Sequence, residues 1–191
     1  MVGKHLVGRQ SDVHLNDQGR SQAKQLAADL AGLPIKAVFA SPLERAQETA
    51  APIAHFHNLP VITEEGLIEM DFGQWQSRSI AELKQSPLWE IIQESPNGFC
   101  FPEGETFNAA QARIAKTLQS INRAYAENDL IVCVSHCDPI RLAIAYFLGL
   151  PLNAFQRLRV DTASVSMLHL KNGNVSLNAL NMLKEYSGYL K

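Results

Sequence analysis

Twice in this 191-residue chain an apolar, β-branched run passes without a linker into a proline-bearing helix start. IKAVFA at 35–40 runs into Ser41-Pro42-Leu43-Glu44, and LIVCVS at 130–135 runs through His136 into Asp138-Pro139. Short apolar runs without polar alternation suit strands buried on both faces, and parallel strands need long, usually helical, crossovers. The two junctions therefore predict a three-layer α/β sandwich, a mostly parallel central sheet flanked by helices. Ser41 to Glu44 has the spacing of a capping box with proline at the first helical position, and Asp138-Pro139 repeats the N-cap and N1 proline at the second junction.

The remaining pattern fits that frame. From Asn16 to Ala31 the residues Ala23, Leu26, Ala27 and Leu30 recur at helical spacing, with Asn16 as cap and Gly32 and Pro34 as terminators. A short strand is expected around 60–63, followed by the polar stretch GLIEMDFGQWQSRS and a short helix capped by Ser79 and Glu82 that Pro87 interrupts. Beyond a turn at Pro96-Asn97-Gly98, a long helix runs from about Thr106 to near Asn128. It carries Phe107, Ala110, Ile114, Leu118, Ile121 and Tyr125 on one face. Strands are expected at 157–160, 164–170 and 175–180, the last two joined at Asn172-Gly173 and forming the edge of the sheet. No repeat or low-complexity tract divides the chain, so residues 1–191 are expected to form a single domain.

Composition narrows the partners. Hydrophobic residues make up 46% and charged residues 19%, as in a folded globular protein. The net charge of −2 offers no global positive field for nucleic acid or an anionic membrane. No segment has the run of about 18 to 20 apolar residues of a membrane-spanning helix, and MVGKHLVGRQ lacks the apolar core of a secretory signal. A cytoplasmic protein without nucleic-acid or membrane partners is expected. Cys100, Cys133 and Cys137 are odd in number and lack zinc-ligand spacing, so reduced thiols, no metal and no cofactor are expected.

In open α/β sheets ligands bind beyond the carboxyl ends of the strands, which directs attention to the two junctions. Arg45 lies in the opening turn of a helix, where a cation opposes the macrodipole unless an anion binds between them. An exposed pair with Glu44 or Glu48 is the equally open alternative. His136 leaves the most apolar strand beside free helix N–H groups, an arrangement suited to phosphate, although a buried core histidine reads similarly. Glu69 and Asp71 share a loop with Phe72 and Trp75, where burial could raise a carboxyl pKa and hold a proton for a leaving group. They fit equally a surface loop around a structural tryptophan. Trp75 and Trp89 are assigned to packing, and His5, His14, His55, His57 and His169 carry no catalytic assignment.

Four segments, in order, carry a resemblance: GRQSDVHLNDQGRSQA, ASPLERAQETA, GLIEMDFGQWQ and VSHCDPIR. Together with PEGETFNAAQAR they resemble the phosphoglycerate mutase-like proteins of the histidine phosphatase superfamily through nearly the whole chain. SPLWEIIQESP and FQRLRVDTASVSML resemble a phosphomutase branch of it. The resemblance implies that Arg45 binds the transferred phosphoryl group, Glu69 protonates the leaving oxygen and His136 stabilises its charge. Gly8 and Arg9 would belong to the loop beside the substrate. Where the family usually has glycine after the second histidine this chain has Cys137, whose N–H can still serve while its side chain narrows the pocket.

The family opens with a strand ending in Arg-His-Gly, whose histidine is the nucleophile, and this sequence contains no Arg-His-Gly. Met1 to Lys4 align with the loop after that motif. The expectation is therefore a truncated chain that lacks the first central strand and is impaired, with Met1 an internal methionine of a longer native protein. A lost central strand would leave ladder groups unpaired, at about 1 to 3 kcal/mol each. The full-length protein is expected to hydrolyse a small phosphorylated metabolite through a phosphohistidine. The alternatives are a phosphomutase and a non-catalytic phosphate-binding module, and a homodimer is a further expectation.

Overall fold

β1 (Ile35–Ala40) is the middle strand of a three-stranded parallel sheet, between β2 (Val61–Thr63) and β3 (Leu130–Val134). The structure, a computed structural model, describes residues 4–171 and 173–184. Val38 pairs with Val61 on one side and with Val132 on the other, and Phe39 pairs with Ile62 and Cys133. The sheet thus has no internal gap. β1 bonds to both neighbours, and β2 and β3 are the outer strands of this sheet among the described residues. Met1 to Gly3 lie outside the described residues.

The alternation of β1 divides the core in two. Val38 and Ala40 face α1 (Asp17–Leu30) and α2 (Glu44–Phe56), packing with Leu26, Ala27, Ile53 and Ala54. Ala37 and Phe39 face α5 (Phe107–Ala124), α6 (Cys137–Phe147) and an aromatic cluster. Helices on both sides complete the expected three layers. Asn16 caps α1 by accepting from Gly19 N–H at 2.8 Å, and Thr106 caps α5 by accepting from Ala109 N–H at 3.0 Å.

Between β2 and α5 lie two short 3-10 turns, Glu65–Leu67 and Gly73–Trp75, then α3 (Ile80–Leu83) and α4 (Pro87–Glu94). Pro87 does not interrupt a helix as expected; it opens α4, with Ser86 as cap, where its missing N–H costs nothing. Trp75 stacks on Trp89 with centroids 6.5 Å apart, and Phe101 meets Trp75 edge-on at 5.5 Å.

The C-terminal part departs further from expectation. Residues 157–160 form no strand, since a 3-10 turn, Leu152–Arg157, anchors its buried Phe155 against Phe107 instead. β4 (Val165–Lys171) and β5 (Asn174–Met182) pair antiparallel as a separate two-stranded sheet rather than as an edge of the central one. Gly173 has φ +81° in the connecting turn, while Asn172 lies outside the described residues. LIVCVS is half-buried along its strand rather than enclosed, because β3 is an outer strand. Among the described residues no helix is long and apolar enough to cross a membrane.

Candidate active site

β1 and β3 run parallel, so their carboxyl ends open on the same edge of the sheet. Ser41, the residue after β1, donates its N–H to the Val134 carbonyl at 2.9 Å, and its Oγ lies 2.7 Å from His136 Nε2. Both residues are buried. This contact explains why neither expected capping device forms. The Ser41 hydroxyl faces His136 and the Leu43 N–H (3.3 Å), so α2 begins at Glu44 without a side-chain cap. His136 takes the N-cap place of α6, which puts Asp138 inside the first turn, 3.4 Å from Arg141 Nη1.

Arg45 is not the exposed partner of its neighbours. Glu48 accepts from Leu15 N–H at 2.8 Å and pairs with His14, and Glu44 accepts from Asp12 N–H at 3.2 Å. Arg45 Nη2 donates to the Gly8 carbonyl at 2.7 Å, while its buried Nη1 has no hydrogen-bond partner among the described residues. Burial lowers the Arg45 pKa, and the carboxylates of Glu69 and Glu44 oppose that shift. Gly8 takes φ +60°, and a Cβ there would stand 2.5 Å from Gln76 Oε1, the atom that accepts the Arg9 N–H at 2.6 Å. The Gly8-Arg9 turn is thereby clamped beside Arg45.

The two loop carboxylates part company. Glu69 is partly accessible as a residue, yet its carboxyl lies deep enough that desolvation, then Asp138, push its pKa up to about 8. The Met70 N–H at 2.9 Å and the Arg45 and Arg113 guanidiniums oppose this rise. Burial thus favours the protonated form of Glu69. Asp71 is more open, accepts from Gly73 N–H at 2.9 Å and lies 3.8 Å from Arg9 Nη1, the position of a loop cap. Burial, then Arg45 and Arg113, push His136 down to about 3, so the imidazole is neutral and hydrogen-bonding. Cys137 opens α6, with its Sγ 3.7 Å from the Val160 carbonyl and its pKa pushed up to about 12 by burial, so it stays a thiol.

The structure thus brings Arg45, Glu69 and His136 within electrostatic reach of one another, with Gly8 and Arg9 alongside. Two further residues join the site through tertiary contacts that sequence spacing alone does not single out. Arg113 donates from Nη1 to the carbonyls of Gly66 (2.9 Å) and Ile68 (2.8 Å), and Glu105 accepts from Arg113 at 2.9 Å and Arg9 at 3.1 Å. The available signal for Arg113 is a cation one residue before the apolar Ile114 on the long helix. Among the described residues no three His, Cys, Asp or Glu side chains gather as metal ligands.

The raised Glu69 pKa has a consequence for stability. An unfolded glutamate ionises near 4.5, whereas the folded one holds its proton to about pH 8. Its contribution is fully present below pH 4.5 and is lost as pH rises to about 8, because only the folded state still binds the proton. Glu69→Gln is expected to gain stability over the parent protein at pH 8.5 and little at pH 4.5, as read by urea unfolding at the two values. An equal effect at both would contradict a perturbed Glu69.

The family model described as histidine phosphatase superfamily (branch 1) matches residues 2–183. The match begins at residue 2 and gives no support to the expectation of a truncated chain. Phosphoserine phosphatase 1 of Hydrogenobacter thermophilus is 31% identical over 173 residues, 90% of this chain and 82% of its own. The 2,3-bisphosphoglycerate-dependent phosphoglycerate mutase of Thermoplasma acidophilum is 31% identical over 181 residues, 92% of this chain and 84% of its own. Among solved structures, the alpha-ribazole phosphatase of Shigella flexneri superposes with a TM-score of 0.83 at 28% identity, covering 96% of this chain and 91% of its own.

Proposed function

The chain belongs to the histidine phosphatase superfamily, and from that premise we propose that it transfers a phosphoryl group to water, hydrolysing a small phosphomonoester. The observation that carries this reading is Arg45, with one guanidinium nitrogen held by Gly8 and the other buried and without a partner among the described residues. A phosphate oxygen is the natural acceptor for such a donor. Arg45 binds the phosphoryl group and His136 adds a neutral N–H that stays hydrogen-bonded to Ser41 or turns to the phosphate. Glu69, whose protonated form burial favours, donates its proton to the leaving oxygen. Pre-positioned groups of this kind act by orientation and electrostatic stabilisation of the transferring phosphoryl group. A phosphohistidine intermediate belongs to the reading by family resemblance; because the sequence holds no Arg-His-Gly, no nucleophile is assigned among its residues.

The test is release of inorganic phosphate from a panel containing phosphoserine and p-nitrophenyl phosphate. Turnover is expected to fall above about pH 8 as Glu69 loses its proton. Binding of phosphate with no release from any ester would favour a non-catalytic binding module. The phosphoglycerate mutase relative supports a second reading, transfer back to a small phosphorylated acceptor rather than to water. Label from a phosphorylated substrate that always ends in inorganic phosphate would reject it.

A further inference from the structure

Glu105 stands outside the group of side chains that the phosphoryl-transfer reading uses, yet three donors converge on its Oε1. Arg113 Nη2 lies at 2.9 Å, Asp71 N–H at 3.0 Å and Arg9 Nη2 at 3.1 Å. Its backbone N–H also donates to the Asp71 carbonyl at 2.9 Å. The two arginines that it holds act in turn on the backbone around the acid. Arg9 Nε donates to the Glu69 carbonyl at 2.8 Å, and Arg113 Nη1 to those of Gly66 and Ile68. Leu67 and Met70, fully buried, plug this segment into the core from within.

We infer that Glu105 is a positioning residue: by clamping Arg9 and Arg113 on one oxygen it fixes the backbone of Gly66 to Asp71 and thereby the direction of the Glu69 carboxyl. The carboxylate does two things at once. It orients both guanidinium forks, which are planar and demand matched acceptors, and it neutralises positive charge beside an acid that must keep its proton. The inference rests on the phosphoryl-transfer reading in giving Glu69 a reaction to serve, while the geometry itself is independent of it.

The charges facing Glu69 are Asp138 from α6, Arg45 from α2 and Arg113 from α5, with the Met70 N–H on its own loop. Glu105→Gln keeps an acceptor oxygen but removes the charge, leaving the Arg113 guanidinium uncompensated and free to favour ionised Glu69. The experiment follows the Glu69 carboxyl by carbon NMR on the full chain with labelled glutamate, using Glu69→Gln to identify its signal. Phosphate release from p-nitrophenyl phosphate is measured in parallel. In Glu105→Gln the Glu69 midpoint is expected to fall by one pH unit or more, and kcat at least tenfold with KM moving less than threefold. Glu105→Asp, which restores the charge, is expected to recover most of the midpoint, and serves as the comparison if Glu105→Gln does not fold.

An unmoved midpoint in a folded Glu105→Gln, with only a lower melting temperature, overturns the inference and leaves Glu105 a structural residue. A shifted midpoint in a protein whose parent releases no phosphate supports the positioning role and counts against the hydrolytic reading alone. Turnover by the parent that Glu105→Gln matches in both midpoint and kcat counts against the positioning role alone.

Discussion

Arg45→Ala lowers the affinity of the pocket for inorganic phosphate or vanadate by about 30-fold or more, with folding preserved. Removing one partner of a desolvated, hydrogen-bonded charge pair costs about 2 to 5 kcal/mol, and each 1.4 kcal/mol is about tenfold in affinity. The effect belongs to binding rather than stability, because burial already lowers the Arg45 pKa and truncation relieves that desolvation. Arg45→Lys keeps the charge but loses the fork that grips the Gly8 carbonyl with one nitrogen while presenting the other, so affinity is expected to stay low. Titration calorimetry with phosphate reads both variants. Affinity unchanged in Arg45→Ala would remove this residue from the site.

The largest effect on stability is expected at Gly73. Its φ is +50°, and an added Cβ would stand 2.0 Å from the Pro102 carbonyl oxygen and 2.6 Å from the Gly104 nitrogen, both backbone atoms that no rotamer change can move. The loops at 71–75 and 101–105 lie backbone to backbone here, with Gln74 N–H donating to the Pro102 carbonyl at 2.9 Å. Gly73→Ala must either part these loops or strain both, at about 3 kcal/mol or more. For a chain of this size that corresponds to a melting temperature lower by roughly 6 to 12 °C. Gly32, around which an added Cβ meets nothing within 4 Å, serves as the control, and Gly32→Ala is expected to melt within about 2 °C of the parent. A small effect at Gly73 would mean that the two loops are not held in contact.

What could be read from the chain was local. The helices over Asp17–Leu30 and Phe107–Ala124 announce themselves through periodic apolar residues and an Asn or Thr cap, and both strand-to-helix junctions stand where β-branched runs meet proline. What could not be read depends on distant partners. Ser41 has the spacing of a cap, but its hydroxyl faces His136, 95 positions away, so the local rule loses to a tertiary contact. Arg113 and Glu105 look like ordinary polar residues near a helix start, and only folding brings Arg9 and the Gly66 to Asp71 backbone onto them. The strand expected at 157–160 does not form, and the 3-10 turn that ends at Arg157 buries Phe155 just before it.

The stacked indoles carry an optical consequence. The chain has two tryptophans, Trp75 and Trp89, and both sit in one aromatic cluster beside the Gly73 turn. Tryptophan emission therefore reports on a single side of the sheet and is silent about α1, α2 and the strand faces against them. If the loops at 71–75 and 101–105 open before the sheet melts, the fluorescence changes while the far-ultraviolet dichroism is still that of the folded protein. Two probes that respond at different denaturant concentrations would then separate the stability of the loops that aim Glu69 from the stability of the layer that carries them.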